Sequence, residues 1–236
     1  MGTTEHLSKQ FEADLGTTRS RVLQMGGLVE AQIQDAIEAY TSGEMTLADQ
    51  VIANDARVNG YEVAIDGACN HIVVKRQPAA SDLRMIMAIA KIVTDIERIG
   101  DEAKKVARMS KRLHEDGAQH VQRFPVIRHA AQVAVKMLRQ ALDAFARLDA
   151  ASAAGVLKED SEIDHEFRGT VRQLVTYMME DPRTISPALE ILWVAKAIER
   201  MGDHAKNIAE QVIYIVKGTD VRHTSFSDIE RHVGEL

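Results

Sequence analysis

Four pairs of acidic or amide side chains in this 236-residue chain share one spacing. Glu97 and Asp101 stand four residues apart, as do Glu199 and Asp203; Asp55 and Asn59 form a third such pair, and Asp160 and Asp164 a fourth. On a helix, positions i and i+4 are neighbours on one face, so each pair would hold its oxygens side by side. Like charges at that spacing destabilise an isolated helix by about 0.2–0.5 kcal/mol per pair, and their repetition asks for a compensating cation. A metal is one answer. Carboxylate oxygens suit Mg²⁺, Mn²⁺, Ca²⁺, iron or Zn²⁺, and several converging on a surface suit multinuclear binding. The other answer is that Lys104, Lys206, Arg98 and Arg200 neutralise these acids as a solvated charge network of little energetic weight. Spacing alone leaves both open.

The elements that must position these pairs are helices. Prolines occur only at 78, 125, 182 and 187, and between them run segments rich in Ala, Leu, Ile, Val, Met, Glu, Lys and Gln. The pattern predicts helices near 8–42, 45–76, 82–114, 124–148, 151–180 and 187–217, about 30 residues or roughly 45 Å each. Gln77-Pro78 and Asp181-Pro182 break the second and fifth, and Ser186-Pro187 offers an N-cap followed by proline at the first helical position. In the third segment Ile89, Ile92, Ile96, Ile99, Ala103 and Val106 alternate by three and four. In the sixth, Ile191, Val194, Ile198, Met201, Ala205, Ile208, Val212 and Ile215 do the same. Such a 3.5-residue period predicts bundles with near-parallel axes. With Ile96 and Ile99 on the seam, Glu97 and Asp101 fall on the side away from the core, and so by the same count do Glu199 and Asp203.

The second half repeats the first, with an offset of 105 residues early and 102 late. Residues 97–107 and 199–209 are identical at seven of eleven positions, Glu-Arg-x-Gly-Asp included. Upstream, Ile33, Ala36, Ile37, Tyr40, Val51, Asp55 and Val58 match Leu138, Ala141, Leu142, Phe145, Val156, Asp160 and Ile163. The expectation is an all-α chain, a tandem duplication of two three-helix bundles built from six long helices. They span residues 1–115 and 122–218, and a polar tail follows at 219–236. Gly100 and Gly202 lie inside patterned helices, where glycine costs roughly 0.5–1 kcal/mol relative to alanine. Close approach of a neighbouring helix is the ordinary explanation; room for a metal or partner over the acidic pair is the second.

Composition removes several classes of function. With 35 acidic against 29 basic residues, a formal charge of −6 and 4% aromatics, nucleic acid is the poorest partner. Cys69 is the single cysteine, so no intrachain disulfide forms, and no stretch approaches the uncharged length that crosses a bilayer. A cytoplasmic protein is expected. A ferritin-like di-iron centre needs inward-facing Glu residues and two Glu-x-x-His elements, but the chain has one, Glu162 to His165. Most of the nine histidines read as surface residues, and His204 stands where the first half has Glu102. Neither a phosphate-binding glycine loop nor a nucleophilic triad appears, so catalysis is not indicated.

Three local features resemble a known family, the phosphate-specific transport accessory proteins, PhoU. They are Met25-Gly26-Gly27, the run Lys75 to Arg84 around Arg76-Gln77-Pro78, and the duplicated Glu-Arg-x-Gly-Asp elements. The match extends over about residues 5–218. The resemblance implies tandem three-helix bundles at the membrane's inner side, reaching the membrane only through partners. It also implies negative regulation of phosphate uptake and of phosphate-starvation signalling. Such proteins look to be adaptors between the ATPase subunit of the phosphate ABC transporter, PstB, and the sensor histidine kinase PhoR, and a homodimer is expected. Some relatives carry metal at elements that map to Glu97/Asp101 and Glu199/Asp203. Asp55, Asn59, Asp160 and Asp164 would assist, and Asn59 in place of an acid makes the first patch the weaker metal site. Two alternatives to the adaptor remain: a metal store or metal-dependent enzyme, and a purely structural scaffold.

Overall fold

A computed structural model describes residues 2–115, 125–222, 224, 226, 228, 229 and 231. Six α-helices follow one another: α1 (Gly2–Ser42), α2 (Met45–Arg76), α3 (Ala80–Glu115), α4 (Pro125–Arg147), α5 (Ala150–Glu180) and α6 (Ile185–Lys217). A 3₁₀ turn, Pro182–Thr184, precedes α6, and no strand occurs among the described residues. The link between the repeats, expected at 115–122, falls almost entirely outside the described residues.

Local chemistry sets the corners. Gln77 adopts a left-handed conformation, φ 46°, and its N–H donates to the Val73 carbonyl at 3.3 Å, closing α2 immediately before Pro78. Between α4 and α5, the Asp149 carboxylate accepts from the Ala151 and Ser152 N–H groups at 3.0 Å each. The start of α6 differs from expectation. It begins at Ile185, ahead of Ser186-Pro187, because Asp181 caps the intervening 3₁₀ turn and the Thr184 hydroxyl donates to the Asp181 and Tyr177 carbonyls. Pro187 then sits in the first turn, where its missing N–H would have had no helical acceptor.

Every apolar residue named for the third and sixth segments is buried. Each bundle is three helices, with α2 packed on α1 and α3, and α5 packed on α4 and α6. The bundles join through two antiparallel contacts. Along α3 and α6, Asp95 meets His204, Lys105 meets Trp193 and Arg112 meets Glu190. Along α1 and α4, Arg19 meets Phe145, Glu30 meets Arg139 and Glu38 meets Arg128. All the buried apolar side chains therefore form one continuous core. Burying a side chain of this size is worth about 1.5–3 kcal/mol, so joining the two halves on one core adds to the stability of both. The segment after Gly218 is not wholly polar in its placement: Val221 and Ile229 are each only 2% exposed, and Lys158 lies over the Phe226 ring at 4.8 Å.

Candidate functional site: two acidic seams

The acidic pairs line two equivalent seams, one between α2 and α3 and the other between α5 and α6. Asp101 and Asp203 are exposed, while Glu97 and Glu199 are half-buried. Asp55 departs from this outward pattern, being only 7% exposed, and Asp160 is half-buried. Each of these two aspartates receives a lysine from the neighbouring helix. Lys104 Nζ donates to Asp55 Oδ2 at 2.5 Å, and Lys206 Nζ donates to Asp160 Oδ2 at 2.6 Å. The bond to Asp55 raises the Lys104 pKa above its ordinary value. At Lys206 burial works against the charge, but the bond to Asp160, with Glu210 and Asp203 nearby, outweighs it and the net shift is upward. Two of the four cations expected to neutralise the acids, Lys104 and Lys206, do so by direct contact, and Arg98 acts on Glu97 and Glu62 only through space. Arg200 instead turns to Glu102 of the other bundle, Nε to Oε1 3.2 Å, and Arg98 makes no ion pair or hydrogen bond among the described residues.

Beyond that shared bridge the seams differ. Glu62 of α2 faces the first seam, and its equivalent in the second is Phe167; Thr94 stands where the second has Lys196. Lys196 bonds Glu199 at 2.6–2.7 Å and lies over the Phe167 ring at 5.2 Å. Glu97 gains no such partner. Burial first, and then Asp101, Glu62 and Asp55, push its carboxyl above the ordinary carboxylate range. Burial, Asp66 and Asp101 do the same to Glu62. In the second seam burial, Glu199 and Asp160 raise Asp203. Asn59 lies 3.5 Å from Asp55, a long contact, and Asp164 is 3.4 Å from Arg168. The acidic pattern passed over Glu62, although it lies seven residues after Asp55 and so on the same helical face.

Among the described residues no three His, Cys, Asp or Glu side chains stand together in a metal-binding group. The eight residues of the expected metal patches do not form a cage in this arrangement, and lysine ammonium groups take up the oxygens of Asp55 and Asp160. The two glycines have packing neighbours. A Cβ at Gly202 would approach Ile163 Cδ1 to 2.7 Å, and one at Gly100 would meet Gln32 Oε1 at 3.3 Å with Val29 and Val58 beyond. Helix approach therefore accounts for both.

A second polar feature was not legible in the sequence. His204, 7% exposed, bridges the bundles: its Nδ1 donates to Asp95 Oδ1 at 2.8 Å, and Asn207 Nδ2 donates to the same oxygen at 3.2 Å. Only the packing of α3 on α6 brings these residues together. His204 holds the place of Glu102, which is likewise buried and meets Arg200.

Two copies of a three-helix unit on one core, with acidic seams open to solvent, define a duplicated helical-bundle protein. The chain belongs to the PhoU family: the PhoU domain matches residues 22–110 and again 127–212. It is 50% identical over 230 residues to a phosphate-specific transport system accessory protein PhoU homolog of Pseudomonas aeruginosa, covering 98% of this chain and 95% of that protein. The crystal structure of PhoU from Pseudomonas aeruginosa superposes with a TM-score of 0.85 at 50% identity, over 89% of this chain and all of the other. A phosphate transport system regulatory protein PhoU from Streptococcus pneumoniae gives a TM-score of 0.83 at 25% identity, over 89% of this chain and 99% of that one.

Proposed function

We propose that this chain is an accessory regulator of a phosphate-specific transport system. It acts in the cytoplasm as an adaptor between the transporter's ATPase subunit, PstB, and the sensor histidine kinase, PhoR, and holds both uptake and starvation signalling down when phosphate is plentiful. The observation that carries this reading is the full-length, two-repeat match to proteins named as accessory to phosphate transport. The physical setting agrees with it. No helix among the described residues is long and apolar enough to cross a membrane, so contact with a transporter would go through a protein partner. The repeated polar groups lie on open seams, which favours action by binding rather than by turnover. Self-association as a homodimer belongs to the same reading. Deleting the gene should derepress phosphate-starvation genes in high phosphate, and the tagged protein should retain transporter and kinase in a phosphate-dependent pull-down. Unchanged starvation-gene expression in the deletion strain overturns the regulatory reading.

A second reading is favoured by the crowded carboxylates of the first seam, which Arg98 and Lys104 relieve only in part. There, a divalent or ferric ion would bind Glu97 and Asp101, and in the second seam Glu199 and Asp203, helped by Asp55, Asn59, Asp160 and Asp164. Lys104 and Lys206 would have to release their aspartates, so metal should compete with the lysine bridges. Elemental analysis after incubation with Mg²⁺, Mn²⁺, Zn²⁺ and iron should find metal in the wild type and less in Glu199→Gln/Asp203→Asn. A metal-free wild type assigns these acids to charge balance with lysine.

A further inference from the structure

We propose that the corner end of the second seam, where α5 turns into α6, is a docking groove for an amphipathic helix of a protein partner, apolar along one face and carrying a Lys or Arg at one end. It is the surface through which the adaptor described above would act, and it rests on that reading for there being a partner.

α5 and α6 run antiparallel in a register fixed at three places. Asp160 meets Lys206, Phe167 meets Lys196, and at the corner Thr184 donates to the Tyr177 carbonyl. That register sets Val175 across from Leu189 and Met179 across from Ile185. These four side chains are between 42% and 80% exposed. Trp193, one helical turn beyond Leu189, is 48% exposed and has Lys105 over its ring at 5.5 Å. Large apolar side chains exposed together, rather than singly, mark a surface that meets a partner.

The duplication shows where the two seams part. The corner is apolar in both, with Val74, Leu83 and Met87 at the places of Met179, Ile185 and Leu189. Toward the acids, the first seam has Asp66, Asn70, Ala90 and Lys91 where the second has Val171, Val175, Leu192 and Trp193. Only the second therefore carries apolar residues from the corner as far as Phe167.

Two observations define the occupant. Beyond the apolar strip Asp203 is exposed and makes no ion pair or hydrogen bond among the described residues. Burial, Glu199 and Asp160 raise its pKa, and Lys196 offsets them only in part, so this carboxylate is suited to a cation brought from outside. The second observation is the segment after Gly218, helical at its described residues from Phe226 on, which lies on the other end of the same helix pair. Phe226 sets its ring against Lys158 of α5, Ile229 three residues on is buried, and Arg222 and Thr224 share a groove with Asp203 and Lys206. The α5–α6 surface thus already holds a short helix by apolar residues on one face. From Ile185 to Lys196 the strip runs about 16 Å along α6, and Asp203 lies about 10 Å further. A partner helix of about 18 residues, with apolar anchors at i, i+4 and i+7 and a basic residue toward one end, spans that length.

The test is retention of the purified transporter ATPase subunit and of the sensor kinase in detergent by the immobilised full chain, with EDTA present so that metal bridges take no part. Leu189→Asp should weaken retention of at least one of them ~10-fold or more. Asp203→Lys should weaken the same partner ~5-fold, with a smaller loss at high salt. Met87→Asp, the matching change in the first seam, should leave retention within about twofold of wild type. All three sites are exposed, and circular dichroism checks that the variants stay folded. With Leu189 replaced by the photo-crosslinker p-benzoylphenylalanine, the retained partner should be labelled on a helix with one apolar face and Lys or Arg at one end. Labelling of a strand, of an acidic segment or of a second copy of this chain overturns the proposal, as does retention undiminished in Leu189→Asp or lost equally in Met87→Asp. A wild type that retains neither protein overturns the adaptor reading and this site with it.

Discussion

The two seams began as copies and now differ in how they balance charge. Both keep the lysine-to-aspartate bridge across their outer helix, Lys104 to Asp55 and Lys206 to Asp160. The second adds Lys196 beside Glu199 and an aromatic ring, Phe167, beneath that lysine. In the first, Glu62 takes the ring's place and Thr94 the lysine's, so two glutamates face each other with raised pKa values. Duplication thus preserved the lysine-to-aspartate contact in both seams, around a buried Asp55 in the first and a half-buried Asp160 in the second, while the residues beside Glu97 and Glu199 diverged.

The largest expected effect comes from removing the shared bridge. Lys104→Met leaves the nearly buried Asp55 carboxylate without its cation and should cost roughly 2 kcal/mol in urea unfolding. Lys206→Met, at a bridge more open to water on both sides, should cost about 1 kcal/mol. Equal losses would mean that burial does not separate the seams.

The next effect concerns helix approach. Gly202→Ala should cost about 1 kcal/mol net, the clash with Ile163 outweighing alanine's helical advantage. Ile163→Val removes the offending Cδ1, so in that background the same substitution should cost nothing. Gly100→Ala, with more room, should fall near neutral. A double-mutant cycle in thermal unfolding reads the coupling.

The smallest effect has opposite signs in the two seams. Glu97→Gln should stabilise the protein by about 0.3 kcal/mol at pH 7, whereas Glu199→Gln should destabilise it by a similar amount because Lys196 loses its partner. Because the folded state raises the Glu97 pKa, it binds that proton more tightly than the unfolded chain does. Its effect on stability is therefore absent below about pH 4.3, the ordinary glutamate value, and grows unfavourable as pH rises through the raised value. The gain from Glu97→Gln should vanish in acid, and a gain that persists there would assign it to packing instead.

Helices, their breaks at Gln77-Pro78 and Asp181-Pro182, the duplication and the buried faces of α3 and α6 were all legible in the sequence. Each rests on local chemistry or on a period of three and four residues, and a helix fixes which side chains share a face whatever it packs against. The i, i+4 acidic pairs belong to the same class. What only the tertiary structure decided are the relations between helices. The offset of α2 along α3 brings Lys104 to Asp55 and sets Glu62 against Glu97. The antiparallel packing of α3 on α6 buries His204 against Asp95 and turns Arg200 to Glu102. That packing also fuses two bundles on one core, to which Val221 and Ile229 of the C-terminal segment belong as well. Sequence spacing carries no record of such offsets, because the sliding and rotation of one helix on another are set by the summed fit of many side chains at the contact.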